Sequence, residues 1–96
     1  MIHIEHVIWL PQFEDKLLAK HHVTVREAEE ILFGLPYVEY VERGFHADEH
    51  LYAAFGQTDA GRYLVVLFVL KQGGGALVIS GRDMDGKERR RYGRRK

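Results

Sequence analysis

Three polar side chains in this sequence stand where they could meet an anion. Gln57 closes LYAAFGQ, Arg62 opens RYLVVLFVLK, and Arg82 closes ALVISGR. Each sits at the end of an alternating or continuously apolar segment, which is the pattern of β-strands. If TDAG (58–61) and QGGG (72–75) are tight turns, Gln57 faces Arg62 and Arg82 returns beside Tyr63 or Leu64. The three then gather at one end of a sheet. Guanidinium groups fork onto phosphate oxygens, and several cations are needed to hold phosphates at physiological salt. Tyr63 and Tyr92 fall beside this basic cluster and are placed to stack on a base. Lys20-His21-His22 closes a helical pattern, where cations suit the helix dipole, and His21 can also donate a proton near pH 7.

Other chemistries find little support. There is no cysteine, which excludes disulfides, thiol catalysis and cysteine-ligated zinc. Ser80 has no histidine and aspartate at a readable spacing, so it is not a nucleophile of the serine-hydrolase kind. QGGG is a turn and not a phosphate loop, since no helix follows it. The six histidines include His46 and His50 at helical spacing, but these lie in a loop without a second pair or a HEXXH pattern. No metal site and no cofactor are expected. Asp48 and Glu49 read as solvated loop charge.

Charge sharpens the picture. The 14 basic and 14 acidic residues cancel. Yet residues 82–96 hold eight basic residues against three acidic, a net +5, and residues 1–81 hold six against eleven, a net −5. Such asymmetry points to an anionic partner for one end, or an oppositely charged protein. The 96 residues suffice for one domain with one modest core. No apolar run approaches the roughly 20 residues that span a bilayer. MIHIEH also lacks the basic start and apolar stretch of a signal peptide, so a cytoplasmic domain is expected.

The elements that must position these residues follow from periodicity. Residues 2–9 suggest a short strand, and Phe13–Lys20 a helix begun after Pro11. Thr24 with Glu27 forms a capping box that starts a second helix, ended by Gly34 and Pro36. The period then falls to two: strands are expected at 37–43, 51–57, 62–71 and 76–82, joined as an antiparallel meander. The apolar run 62–71 should be the central strand, buried on both faces. Asp85 with Glu88 can start a terminal helix that frays into a basic tail at 93–96. The expected fold is thus α+β: an antiparallel sheet of about four strands plus a short N-terminal one. Two N-terminal helices pack on it, and a basic C-terminal helix follows.

KHHVTVREAEEIL (20–32), EHLYAAFGQTDAGRYLVVLF (49–68) and ALVISGRDMDGKERRRY (76–92) resemble the BrnT family of ribonuclease toxins, which have a RelE-like fold. The family's Lys-His, Glu-Ala helix, Tyr strand ending in Gly, Gly-Arg strand, Ile-Ser-x-Arg and Glu-Arg-Tyr helix match in order. Trp9 and Pro11 fit its opening. Departures are Leu10 for an Asp, Leu17 for an Asn, His22 for a Gly, and Gly81 for an Ala.

The resemblance implies a metal-independent endoribonuclease of a type II toxin–antitoxin pair. RNA would be its substrate, and a BrnA-like antitoxin would neutralise it. Within that reading Arg62 and Arg82 stabilise the phosphate, Lys20 or His21 acts as acid or base, and Gln57, Tyr63, Ser80, Arg89 and Tyr92 hold the substrate. The alternative is an interaction module of little or no activity, which binds an antitoxin-like protein or, through that complex, DNA. The aliphatic sheet also makes a homodimer reasonable.

Overall fold

The structure is a computed structural model that describes residues 2–43 and 49–95. Its elements run β1 (His6–Ile8), α1 (Pro11–His21), α2 (Val25–Phe33), β2 (Tyr37–Glu42), β3 (Leu51–Gln57), β4 (Tyr63–Leu70), β5 (Gly75–Asp83) and α3 (Gly86–Arg95). One five-stranded sheet has the order β1-β5-β4-β3-β2. The α+β class is as expected, and β4 is central. The meander β2 to β5 is antiparallel, whereas the short β1 adds to β5 in parallel, with Val7 opposite Ala76.

The apolar run of β4 is continuous because both its faces are covered. Leu64, Val66 and Phe68 point to one side, where Leu17 of α1 and Ala28, Ile31 and Leu32 of α2 close the larger core. Val65 points to the other, with Ala53, Phe55 and Met84, and Tyr37, Tyr63, Leu67 and Tyr92 packed around them. Trp9 ties the N-terminal segment to α2, its indole N–H donating to Glu29 at 2.9 Å.

Helix α1 starts two residues earlier than its apolar spacing predicts. Pro11 occupies its first turn, where a missing N–H costs nothing. It ends at His22, which adopts the left-handed region at φ 54°. Helix α2 has its capping box: the Glu27 N–H donates to Thr24 Oγ1 at 3.1 Å, and the Thr24 N–H to Glu27 Oε1 at 3.0 Å. Asp85 and Glu88 form the same reciprocal pair at the start of α3, at 2.8 and 2.9 Å. Residues 93–95, read from the sequence as a tail, are the last turn of this helix.

The packing of α3 is unusual. It contains no buried residue, and it covers the second face of the sheet with guanidinium groups. Arg91 forks onto Glu39 of β2 with two bonds of 3.1 Å. Arg89, Arg91 and Arg95 lie over the rings of Tyr63, Phe55 and Tyr37 at 4.2, 5.2 and 5.6 Å. Cation–π contacts of this kind hold a polar helix on an aromatic surface.

Candidate active site

The site grows from the end of α1. Because His22 turns left-handed, the carbonyls of His21 and His22 point away from the helix, and Arg62, which leads into β4, receives both. Its Nη2 donates to His21 O at 2.9 Å and its Nη1 to His22 O at 2.7 Å. Nη1 also donates to Glu27 Oε1 at 3.1 Å, while Nε donates to Asp83 Oδ1 at 2.8 Å and Nη2 to Oδ2 at 3.4 Å. A guanidinium has five N–H donors, and here each has an acceptor. Arg62 thereby joins α1, α2 and the end of β5, with its backbone N–H held by Thr58 Oγ1 at 2.9 Å.

Electrostatics follow the contacts. Hydrogen bonding from Arg62 holds the Asp83 carboxyl below its usual range, and the Asp83 bond raises Arg62 in turn. Burial pushes Glu27 up, but the Thr24 N–H and Arg62 outweigh it, so its net shift is downward.

Arg82 is placed differently. Counted from the turn, an unbroken ladder sets it opposite Leu64, but its observed partner is Val65. The pairing shifts between Leu67 and Phe68, where Ser80 and Val78 are the partners and Ile79 is the extra residue of a β-bulge. One inserted residue reverses every later side chain. Arg82 therefore leaves the face of Leu64 and Arg62 and points toward α3. There it forks onto Glu88 at 2.7 and 2.8 Å, which holds the Glu88 carboxyl below its usual range. The two arginines share an end of the sheet but not a face.

The remaining expected residues divide in the same way. Gln57 turns into its own hairpin and donates to Gly61 O at 3.1 Å. Tyr63 and Tyr92 meet edge to face, with centroids 6.2 Å apart, and the Arg89 guanidinium covers Tyr63. Lys20 is exposed and His21 half-buried at the end of α1. Ser80, opposite Leu67, sits further along β5. A shallow groove of about 330 Å³ crosses the end of the sheet, lined by Gly61, Arg62, Tyr63, Asp83, Met84 and Arg89. It links the arginine on one face to the aromatic and cationic groups on the other.

Asp83 and Glu27 are the site residues that sequence reasoning missed. Glu27 was visible only as a helix cap, and Asp83 only as a charge beside Arg82. The available signal for Asp83 was that it directly follows Arg82, where one more strand residue turns its side chain to the opposite face. Among the described residues, no group of three or more His, Cys, Asp or Glu could hold a metal. His46 lies outside them.

Comparison with known proteins agrees with this architecture. The family model described as the ribonuclease toxin BrnT of type II toxin–antitoxin systems matches residues 9–88, so the chain belongs to the BrnT family. Its fold matches the crystal structure of the Brucella abortus ribonuclease toxin BrnT with a TM-score of 0.62. The match covers 83% of this chain and 96% of that one at 22% identity. No curated protein matches the sequence. No helix is long and apolar enough to cross a membrane among the described residues.

Proposed function

We propose that this chain is an endoribonuclease toxin that cleaves RNA with its own side chains and is neutralised by a BrnA-like antitoxin. The observation that carries the reading is the groove at the sheet end, where Arg62, Tyr63 and Arg89 converge beside the end of α1 in a BrnT-family fold. In this mechanism His21 or Lys20 takes the proton of a ribose 2′-OH. The freed oxygen attacks the adjacent phosphorus, and the P–O5′ bond breaks. The leaving 5′-oxygen takes a proton from the other of these two residues, which yields a 2′,3′-cyclic phosphate and a 5′-OH end. Arg62 stabilises the charge on the phosphorane. Arg82 adds its field from the other face, and by holding Glu88 it also fixes α3, which carries Arg89 and Tyr92. These two with Tyr63 receive the bases, and Gln57 and Ser80 complete the substrate-binding set.

The alternative, an interaction module of little activity, is favoured by one observation: carboxylates already occupy the forks of Arg62, Arg82 and Arg91. In that case the basic end serves an acidic antitoxin surface, and DNA is contacted through the complex. A homodimer is compatible with either reading.

Incubation of the protein with total RNA in EDTA tests the choice. The ribonuclease reading expects cleavage by the wild type and a loss of at least tenfold in His21→Ala/Lys20→Ala, with an unchanged melting temperature. Full cleavage by the double variant refutes the assignment of the acid and base. No cleavage by the folded wild type favours the interaction module. An Arg62→Ala variant is a poor probe of chemistry, because it removes the contacts that hold α1, α2 and β5 together.

A further inference from the structure

We propose that Asp83 occupies the edge of Arg62 on which an RNA phosphate binds, and that substrate enters by exchanging phosphate for this carboxylate. The inference rests on the ribonuclease reading above. Arg62 is fixed from behind: Nη1 is held by His22 O and Glu27, and Nη2 by His21 O. The remaining edge, Nε with the outer Nη2 hydrogen, is a two-donor fork. Carboxylate and phosphate present paired oxygens to such a fork in the same way. Here the carboxylate fills it unevenly, at 2.8 and 3.4 Å.

Of the two carboxylates on Arg62, only Asp83 is free to leave. The Glu27 side chain is 26% exposed and also caps α2 through Thr24, whereas that of Asp83 is 66% exposed. Among the described residues, the Asp83 carboxylate has no hydrogen-bond partner besides Arg62. Its rotation into solvent breaks no other hydrogen bond and gives up, besides the Arg62 fork, only its attraction to the nearby His21. Arg62 and Asp83 line the groove with Arg89, whose guanidinium lies over Tyr63, so a strand whose phosphate takes the vacated edge meets a second cation along the same groove. A tethered carboxylate competes well with a lone phosphate and poorly with an oligonucleotide that makes several contacts. Asp83 thus selects polyanions over free phosphate.

Binding of a fluorescein-labelled, fully 2′-O-methylated RNA oligomer, which lacks the attacking hydroxyl, tests the exchange by anisotropy. Asp83→Asn and Asp83→Ser should bind about two- to fivefold tighter than wild type, the worth of an exposed ion pair. Asp59→Asn, with the same charge change in the neighbouring turn, should not. Equal or weaker binding by the Asp83 variants, or the same gain in Asp59→Asn, overturns the exchange and leaves the RNA reading standing. Absence of binding by all the folded proteins, wild type included, removes both. The Arg62 Nε–H resonance of the wild type gives a second measurement free of variants. Oligomer should displace it, and a resonance that stays fixed at saturation overturns the proposal.

Discussion

Arg62 shows how one side chain can be both scaffold and reagent. The end of α1 is left-handed at a non-glycine residue, a conformation that costs on the order of 1–2 kcal/mol. Two hydrogen bonds from a charged donor offset it. Replacing Arg62 by Ala leaves two carbonyls, Glu27 and Asp83 without that donor, so stability should fall by about 2–4 kcal/mol in urea unfolding. A loss below 1 kcal/mol would mean that water or a neighbouring cation replaces the guanidinium. The same contacts set a pH dependence. Asp83, Glu27 and Glu88 all titrate below the ordinary range in the folded chain. The unfolded chain therefore binds protons first. The stabilisation is complete above the ordinary carboxylate range and is lost as pH falls through the lowered values of the folded chain. Thermal melts between pH 7 and pH 3 should show a plateau and then a decline, and Glu27→Gln should flatten part of that decline. An unaltered curve in Glu27→Gln would exclude the carboxylate as a contributor.

At the scale of elements, Leu17 of α1 and Gly81 of β5 are matched to one another. A β-carbon added at Gly81 would stand 2.9 Å from Leu17 Cδ1. Leu17 is buried at 2% exposure. A larger apolar side chain on α1 is thus matched by a smaller residue on β5. Gly81→Ala should cost about 1–3 kcal/mol through overpacking. In Leu17→Ala the same change should cost much less, with a coupling of about 1 kcal/mol or more in a double-mutant cycle. Additive effects would show that α1 simply shifts away. Much of this level was legible in the sequence. The capping box at Thr24 and Glu27, the alternation of 51–57 and the doubly buried run 62–71 each follow from short-range rules. The face of Arg82 was not legible, because Ile79 fits a regular strand as well as a bulge. Nor was the attachment of α3, whose sequence contains no apolar stripe and which meets the sheet through Tyr92 and through arginines laid over rings. The partners of the Arg62 guanidinium lie 21 to 41 residues away along the chain, so local pattern carries no trace of them.

For the molecule as a whole, the excess of basic charge near the C-terminus resolves into two populations. Arg82 and Arg91 are neutralised by Glu88 and Glu39, and Arg89 and Arg95 rest on rings. Lys87, Arg90 and Arg94 are exposed and form no ion pair among the described residues. Their spacing of three and four puts them along one side of α3. They are the cations most available to a polyanion in solution. Replacing all three with Gln should reduce the slope of log K against log salt by about 2, from roughly 0.7 per single-strand phosphate neutralised. The melting temperature should stay within a few degrees. An unchanged slope would place the backbone contacts elsewhere, on the groove side of the helix.

The bulge at Ile79 also changes how relatives of this chain can be compared. On β5, parity is not conserved from one end to the other: residues before Ile79 count from the QGGG turn, and residues after it count from α3. An alignment that slides a single gap across this strand keeps every letter plausible while exchanging inside for outside. At 22% identity overall similarity alone does not correct such a slip. Equivalences at Arg82 and Asp83 therefore have to be anchored on the capping pair Asp85 and Glu88, whose position in space is fixed by its own hydrogen bonds.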